Sequence, residues 1–413
     1  MTTSDKDERG DEEFKEALRC ENGEGVKKDL FEATEHLKTA ASLNHTGAMV
    51  KLGKAYQSGC GVMRNTEKAL ELFKQASSMG DTDGLVELAH CHEEGIGVEF
   101  NPDEAMRLYT QAAKQGNSEA MFRLGCMLFD GRGCSEDKSG AVKLWTQSGE
   151  QGNVTAMKRL IDCYENGDGV EKDVKKAVWF MRMASDKGDE ESMMKLAIYF
   201  EDGDCVEIDL DKAYELFKKA FDCQTKGIYV VSNEGKKDKD ELVFETWGRL
   251  SMKGHVGSLY SLGVCYENGK GVAQNKKKAF DCFLKAAKCG HANAMYNVGV
   301  CYENGDGAEQ DYTKAYEWYL KSANNGDAGA MNNVGLCCFN GEGVAQDFTK
   351  AFEWYLKSAN NGNADAMGVV GLCYEEGQVV TQDFTKAFEW FLKSANKGNA
   401  AAMLYVVWCY FKG

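Results

Sequence analysis

One glycine motif, written about eleven times, limits what this chain can fold into more than any other feature. The first glycine of Tyr-x-x-Gly-x-Gly-Val falls at Gly23, Gly59, Gly95, Gly131, Gly167 and Gly203, then at Gly269, Gly305, Gly341, Gly377 and Gly413. Every interval is 36 residues except one of 66. Self-similarity at a period of this size marks a stacked array, in which each unit buries its apolar face against its neighbours.

Other positions keep the same beat. Six residues after each of the first ten marker glycines stands Asp or Asn: Asp29, Asn65, Asn101, Asp137, Asp173, Asp209, Asn275, Asp311, Asp347 and Asp383. These side chains accept hydrogen bonds from the unpaired N–H groups of a helix start, so each predicts an N-cap. The single proline, Pro102, follows the cap Asn101 at the first helical position, where a missing N–H costs nothing. Four residues past each cap is alanine, from Ala33 to Ala387, small enough for a neighbouring helix to approach closely. The marker glycine closes the preceding helix in the left-handed conformation. A second glycine 21 residues on (Gly80, Gly116, Gly152, Gly188, Gly290, Gly326, Gly362, Gly398) closes the next. Each unit is therefore expected to be a helix of about 12 residues, a Gly-x-Gly turn and a helix of about 14, both marginal alone and stable only when stacked.

The 66-residue interval holds Gly235, one period before Gly271, and Gly254, nine residues before Gly263. A contracted repeat carrying the charged loop 234–240 fits this spacing; a plain insertion is the alternative, and the array is expected to bend or hinge there either way. The expected division is a disordered tail (1–10), N-terminal repeats (11–223), the irregular segment (224–260) and C-terminal repeats ending in a single helix (261–413).

A net charge of −16 disfavours general nucleic-acid binding, which needs a basic footprint. The start, charged from residue 5, has no apolar signal-peptide core, and no apolar run is long enough to span a membrane. The expectation is a cytoplasmic protein without membrane insertion.

The pattern of the best copy, Ala330-Met-Asn-Asn-Val-Gly-Leu-Cys-Cys-Phe-Asn-Gly-Glu-Gly-Val344 followed by Asp347, Lys350, Ala351, Trp354 and Tyr355, resembles the Sel-one-like repeat (SLR), a branch of the tetratricopeptide superfamily. The resemblance covers residues 11 to 413. It implies an all-α, right-handed α-solenoid with the first helix of each pair lining the concave face. It also implies an adaptor or scaffold role in signalling, protein quality control or host–microbe contacts. Cys205 and Val379 depart from the pattern at the second glycine, and the first unit lacks the usual Leu-Gly. Some secreted relatives staple each unit with a disulfide between positions that here hold alanine, as at Ala287 and Ala294. That lowers the standing of the alternative function, a β-lactam-like small-molecule binder or hydrolase.

Seven of the 16 cysteines sit four residues before the marker: Cys91, Cys163, Cys265, Cys301, Cys337, Cys373 and Cys409. Equivalent helices pack about 8–10 Å apart, beyond disulfide reach, so these read as buried, unpaired core residues. His90-Cys91-His92 points to different helix faces, and Cys282, Cys289 and His291 are scattered, so neither predicts a metal. Gly-x-Gly follows a helix rather than a strand, which removes the dinucleotide reading. No nucleophile elbow, zinc-protease motif or phosphate loop occurs. The expectation is therefore no catalysis, no cofactor and no metal.

With core positions 10, 7, 4 and 3 residues before the marker, positions nine, eight and five before it are left for the groove. The N-terminal units offer Lys51, Lys54, Arg123, Lys158, Arg159 and Lys195 there, with Glu87 and His90 among them. The C-terminal units offer Tyr260, Tyr296, Asn297, Asn332, Asn333, Leu336, Leu372, Tyr405 and Trp408. Such a groove suits an extended peptide or protein segment, acidic or phosphorylated where it meets the cations and apolar where it meets the aromatics, with asparagines clamping its backbone. Trp318, Trp354 and Trp390 recur at one position and are expected to pack. The last helix, ending at Gly413 without a partner, is expected to leave an apolar edge at Val406, Cys409 and Tyr410, a possible homodimer contact.

Overall fold

The computed structural model describes residues 3–223, 229–230 and 236–412, and side chains from 7 to 222 and from 238 to 409. Among these there are 22 α-helices and one short antiparallel pairing, Tyr229–Val230 with Lys236–Lys237. From Leu30–Ser42 onward every helix has 13 residues, except Leu210–Cys223 and Lys239–Met252 with 14. The two helices of a pair are thus nearly equal, rather than about 12 and 14. Two compact units result, Met1–Glu207 and Ile208–Gly413, each a stack of antiparallel helix pairs.

The caps explain why the helices start and stop where they do. All ten predicted second-helix caps accept a backbone N–H, for example Asn65 Oδ1 from Lys68 (2.9 Å), Asp209 from Lys212 (2.9 Å) and Asp347 from Lys350 (3.0 Å). The ten described marker glycines have φ between +67° and +87°, the left-handed region in which they end the first helices; Gly413 lies outside the described residues. At the second glycine of the turn, Cys205 is held at φ +59°, a conformation that costs a residue with a Cβ.

Packing explains the rest of the motif. The alanine after each cap is at most 3 % exposed. The glycine six before the marker lies under the aromatic ring fourteen after it: a Cβ on Gly299 would meet Tyr319 at 2.6 Å, and one on Gly371 would meet Phe391 at 2.6 Å. Within a pair, a fully buried serine of the second helix donates to the first carbonyl of the first helix: Ser148 to Ser118 (2.7 Å), Ser322 to Ala292 (3.0 Å), Ser358 to Ala328 (2.6 Å) and Ser394 to Ala364 (2.6 Å). Fully burying each aromatic or aliphatic of these cores contributes about 1.5–3 kcal/mol.

Two boundaries differ from expectation. Residues 3–10 are not a disordered tail: the first helix runs Thr3–Asn22. Gly10 is buried beside Leu43 and His45, and Asp11 lies 3.4 Å from His45, so the segment gains the packing that a free tail lacks. In the irregular segment, Lys239–Met252 packs on Val256–Asn268 as a second helix packs on the next first helix. The turn glycine Gly271 sits against the carbonyl of Asp240, just as Gly307 sits against that of Lys276. The loop 234–240 falls mostly outside the described side chains.

Candidate functional site

The six cations expected to form an open basic wall are, with one exception, bound to acids within Met1–Glu207. Lys51 pairs with Glu21 (2.8 Å), Lys54 with Glu87 (2.8 Å), Arg123 with Glu119 (2.7 Å) and Lys195 with Asp162 (2.9 Å) and Glu165 (3.5 Å). Lys158 reaches Asp189 (3.7 Å) and makes a close pair with Glu191. All but the Arg123 pair tie one first helix to the next. The hydrogen bond to Glu191 is the main cause that raises the Lys158 pKa. For Lys195, burial lowers the pKa, but Asp162 and Glu165 outweigh it and the net shift is upward. Exposed pairs of this kind contribute about 0.2–1 kcal/mol each, so the ladder tunes stacking rather than driving it. Arg159 alone of the six is exposed with no ion pair among the described contacts.

In the C-terminal unit the same positions form a tyrosine–asparagine ladder. The Tyr260 ring stacks on His291 (4.6 Å between centroids), and Asn297 stands near enough to its hydroxyl to favour the ionised form. One period on, Tyr296 lies 5.7 Å from the Tyr319 ring, and Asn333 stands near both hydroxyls. Burial raises the pKa of Tyr260 and Tyr296, with the asparagines pulling the other way. Asn297 and Asn333 thus stand beside tyrosine hydroxyls on this face. Asn332 differs: its Oδ1 is buried and has no hydrogen-bond partner among the described groups. Leu336 is 39 % exposed and Trp408 40 %, while Leu372 is half-buried and Tyr405 stacks on Phe391 at 4.8 Å. Of the expected apolar edge, Val406 and Cys409 are half-buried, and the Tyr410 side chain lies outside the described residues.

The tryptophan ladder packs. Trp318, Trp354 and Trp390 are half-buried against the core, with Lys321, Lys357 and Lys393 over their rings at 4.1, 4.3 and 4.3 Å.

The fifteen described cysteines are free thiols. Five of the seven expected core cysteines are buried, and Cys373 and Cys409 are half-buried. Burial pushes the thiols of Cys91, Cys163 and Cys265 up to about 11 and those of Cys301 and Cys337 up to about 12, far from a reactive thiolate. Around His90 the dominant group is Glu93, 7 % exposed, which accepts from the Tyr109 hydroxyl (2.8 Å) and Arg132 (2.8 Å). Burial acts to raise its pKa, but His90, Tyr109 and the arginines Arg132 and Arg123 hold it below the usual carboxylate range. This is a structural carboxylate. Cys282, Cys289 and His291 form no ligand cluster among the described residues.

Sequence reading missed the caps of the first helices, fourteen residues before each marker. They are Asp81, Asn117, Asn153, Asp189, Asp327, Asn363 and Asn399, and histidine in three units. His45, His255 and His291 use Nδ1 to accept the N–H of Ala48 (3.0 Å), Ser258 (2.9 Å) and Ala294 (3.2 Å).

Helix pairs of this length, capped, closed and stacked at a 36-residue period, define an α-solenoid repeat protein. The Sel1 repeat model matches residues 17–45, 46–81, 82–117, 118–153, 156–189, 190–224, 256–291, 292–327, 328–363 and 364–399, and the chain belongs to the Sel1 repeat family. Similar solved structures include a protective antigen of uropathogenic Escherichia coli strains displaying an SLR fold, at 26% identity and a TM-score of 0.47, covering 100% of this chain and 91% of that one. A Sel1 repeat protein from Oxalobacter formigenes is 23% identical, with a TM-score of 0.38 and coverage of 86% and 92%. Helicobacter pylori cysteine rich protein B is 25% identical, with a TM-score of 0.26 and coverage of 31% and 96%. Among curated proteins, none matches this chain. No helix among the described residues is long and apolar enough to cross a membrane.

Proposed function

We propose that the chain is a protein-interaction scaffold without catalysis, and that the first-helix face of Ile208–Gly413 seats an extended segment of a partner protein. Sel1 repeat proteins are typically interaction scaffolds, which supports the coarser part of this reading. The observation that carries the finer part is the unpaired, buried Oδ1 of Asn332 beside the exposed Leu336. A buried acceptor left without a donor costs about 1–3 kcal/mol, which a partner's backbone N–H recovers on binding. The equivalent cations of Met1–Glu207 are committed to their own neighbours. An acidic partner segment would therefore have Arg159 as its main uncommitted contact.

The test is selection of peptides on the full chain, followed by affinity measurement on three variants. Asn332→Leu and Leu336→Glu are each expected to weaken the selected peptides at least tenfold, with far-UV circular dichroism unchanged. Arg159→Glu, in Met1–Glu207, is the control and is expected to leave the affinity of peptides seated on Ile208–Gly413 unchanged. Peptides that bind both Asn332→Leu and Leu336→Glu as well as they bind the parent would refute the site.

A further inference from the structure

Because every unit repeats the same positions, a unit that changes their chemistry stands out. Five units place tyrosine three residues before the marker and lysine nine after it, the ammonium lying over the ring: Tyr56 with Lys68, Tyr164 with Lys176, Tyr266 with Lys278, Tyr302 with Lys314 and Tyr374 with Lys386, at 5.2–5.6 Å. In the first unit those two positions are Cys20 and Glu32. Thirteen residues after the marker, where later units carry Trp318, Trp354 and Trp390, the first carries His36.

These three replacements converge. The Cys20 thiol, a carboxylate oxygen of Glu32 and a ring nitrogen of His36 all lie within 4.8 Å of one another. Cys20, late in Thr3–Asn22, is 3 % exposed. Glu32 and His36 stand four residues apart on Leu30–Ser42, hence on one face of that helix. Glu13 takes a hydrogen bond from His36 Nδ1 at 2.7 Å. That bond fixes the tautomer, leaves the lone pair on Nε2 and orients the ring, the usual arrangement behind a metal-bound histidine.

The geometry points to a binding site for a zinc-class divalent cation made by Cys20, Glu32 and His36, with Glu13 as a positioning residue. A thiolate, an imidazole and a carboxylate together favour zinc or cobalt over calcium or magnesium, which take oxygen ligands. Three protein ligands leave one tetrahedral position for water. Binding replaces the Cys20 S–H bond with an S–metal bond and releases the proton to solvent. The thiolate and carboxylate then balance the two positive charges. Glu16 and Asp29 also act electrostatically on Cys20, and the negative field that they and Glu32 create there attracts a cation. Sequence reading expected no metal because ligands spaced twelve and four residues apart match no familiar motif; the first turn brings them together.

The experiment uses the full chain, stripped with a chelator and titrated with Co2+ under reducing conditions. One equivalent is expected to produce a thiolate-to-cobalt charge-transfer band and tetrahedral d–d bands, both displaced by Zn2+. Cys20→Ser is expected to abolish the charge-transfer band, while Cys60→Ser, an exposed cysteine elsewhere, leaves it unchanged. His36→Gln, which keeps the thiol, is expected to weaken binding at least tenfold and serves if Cys20→Ser fails to fold. Absence of the band in the parent overturns the proposal. So does a band that persists at full strength in Cys20→Ser, or unchanged affinity in His36→Gln.

Discussion

The histidine caps make Ile208–Gly413 acid-labile in a way that can be calculated from the structure. His255 and His291 each cap a first helix through an Nδ1 lone pair. Protonation removes that lone pair and places a positive charge at a helix N-terminus, where the macrodipole opposes it. His255 is buried, packs against the tilted Tyr214 ring at 4.7 Å and has Asp211 3.1 Å from Nε2, with Glu215 also acting on it. Burial lowers its pKa and the two carboxylates raise it; burial wins because Asp211 is 94 % exposed and screened by water. The pKa of His291, stacked on Tyr260, is lowered by burial and then by His255. With folded pKa values below the unfolded value of about 6.5, the unfolded chain binds more protons. Stability is therefore full above about pH 6.5 and declines as pH falls through the folded values. A lost cap costs about 1 kcal/mol, so two cost about 2 kcal/mol, or about 4–8 °C in Tm for a unit of this size. The control is built into the chain, because Asn117, Asn153 and Asn363 cap the same position with a group that does not titrate here. Thermal melts by circular dichroism at pH 7.5 and 5.0 should show a drop in the parent that His255→Asn/His291→Asn reduces by those few degrees. An equal drop in both proteins would sink the reasoning.

Two further outcomes test the packing logic. Gly299→Ala is expected to lower stability by about 1–3 kcal/mol, because its methyl would fall 2.6 Å from the fully buried Tyr319 ring, whose hydroxyl is bonded to Glu303; denaturant titration measures it, and a stability gain would contradict the close approach. Cys205→Gly is expected to raise stability by about 1 kcal/mol, since it relieves a left-handed residue at φ +59°; an unchanged or lower Tm would show that this conformation carries no strain.

Much of the fold was legible because it is local and repeated. Asp29 through Asp383 announce second-helix starts, and the glycines from Gly23 to Gly377 announce first-helix ends, through chemistry contained within a few residues. The histidine caps were equally local, at a position that otherwise holds only Asp or Asn, but histidine seldom serves as a cap and does not signal one. The site was harder to read. Whether a side chain at these positions is free depends on neighbours about thirty residues away, such as Glu21 for Lys51 and Asp162 for Lys195. One of those acids, Asp162, stands five residues before Gly167, at a groove position itself. Reading the acids at these positions together with the cations would have revealed the ladder.

That ladder shows why stacking and binding compete for one surface. A first helix has a single face toward the groove, and a side chain there that bonds the next helix is withdrawn from any ligand. In Met1–Glu207 the cations of this face other than Arg159 are withdrawn, and on a chain of net charge −16 the pairing leaves little positive potential to steer an acidic partner. In Ile208–Gly413 tyrosines and asparagines stand beside one another, but the ladder breaks after Asn333. At the next marker the two positions that carry tyrosine and asparagine at Tyr296 and Asn297 are Gly368 and Val369, which supply neither a hydroxyl nor an amide. Asn332 stands one step before that break with its oxygen unpaired. The proposed site thus lies where the repeat stops satisfying its own polar groups, and the grip of the proposed segment should depend on hydrogen bonding and apolar contact, changing little with salt.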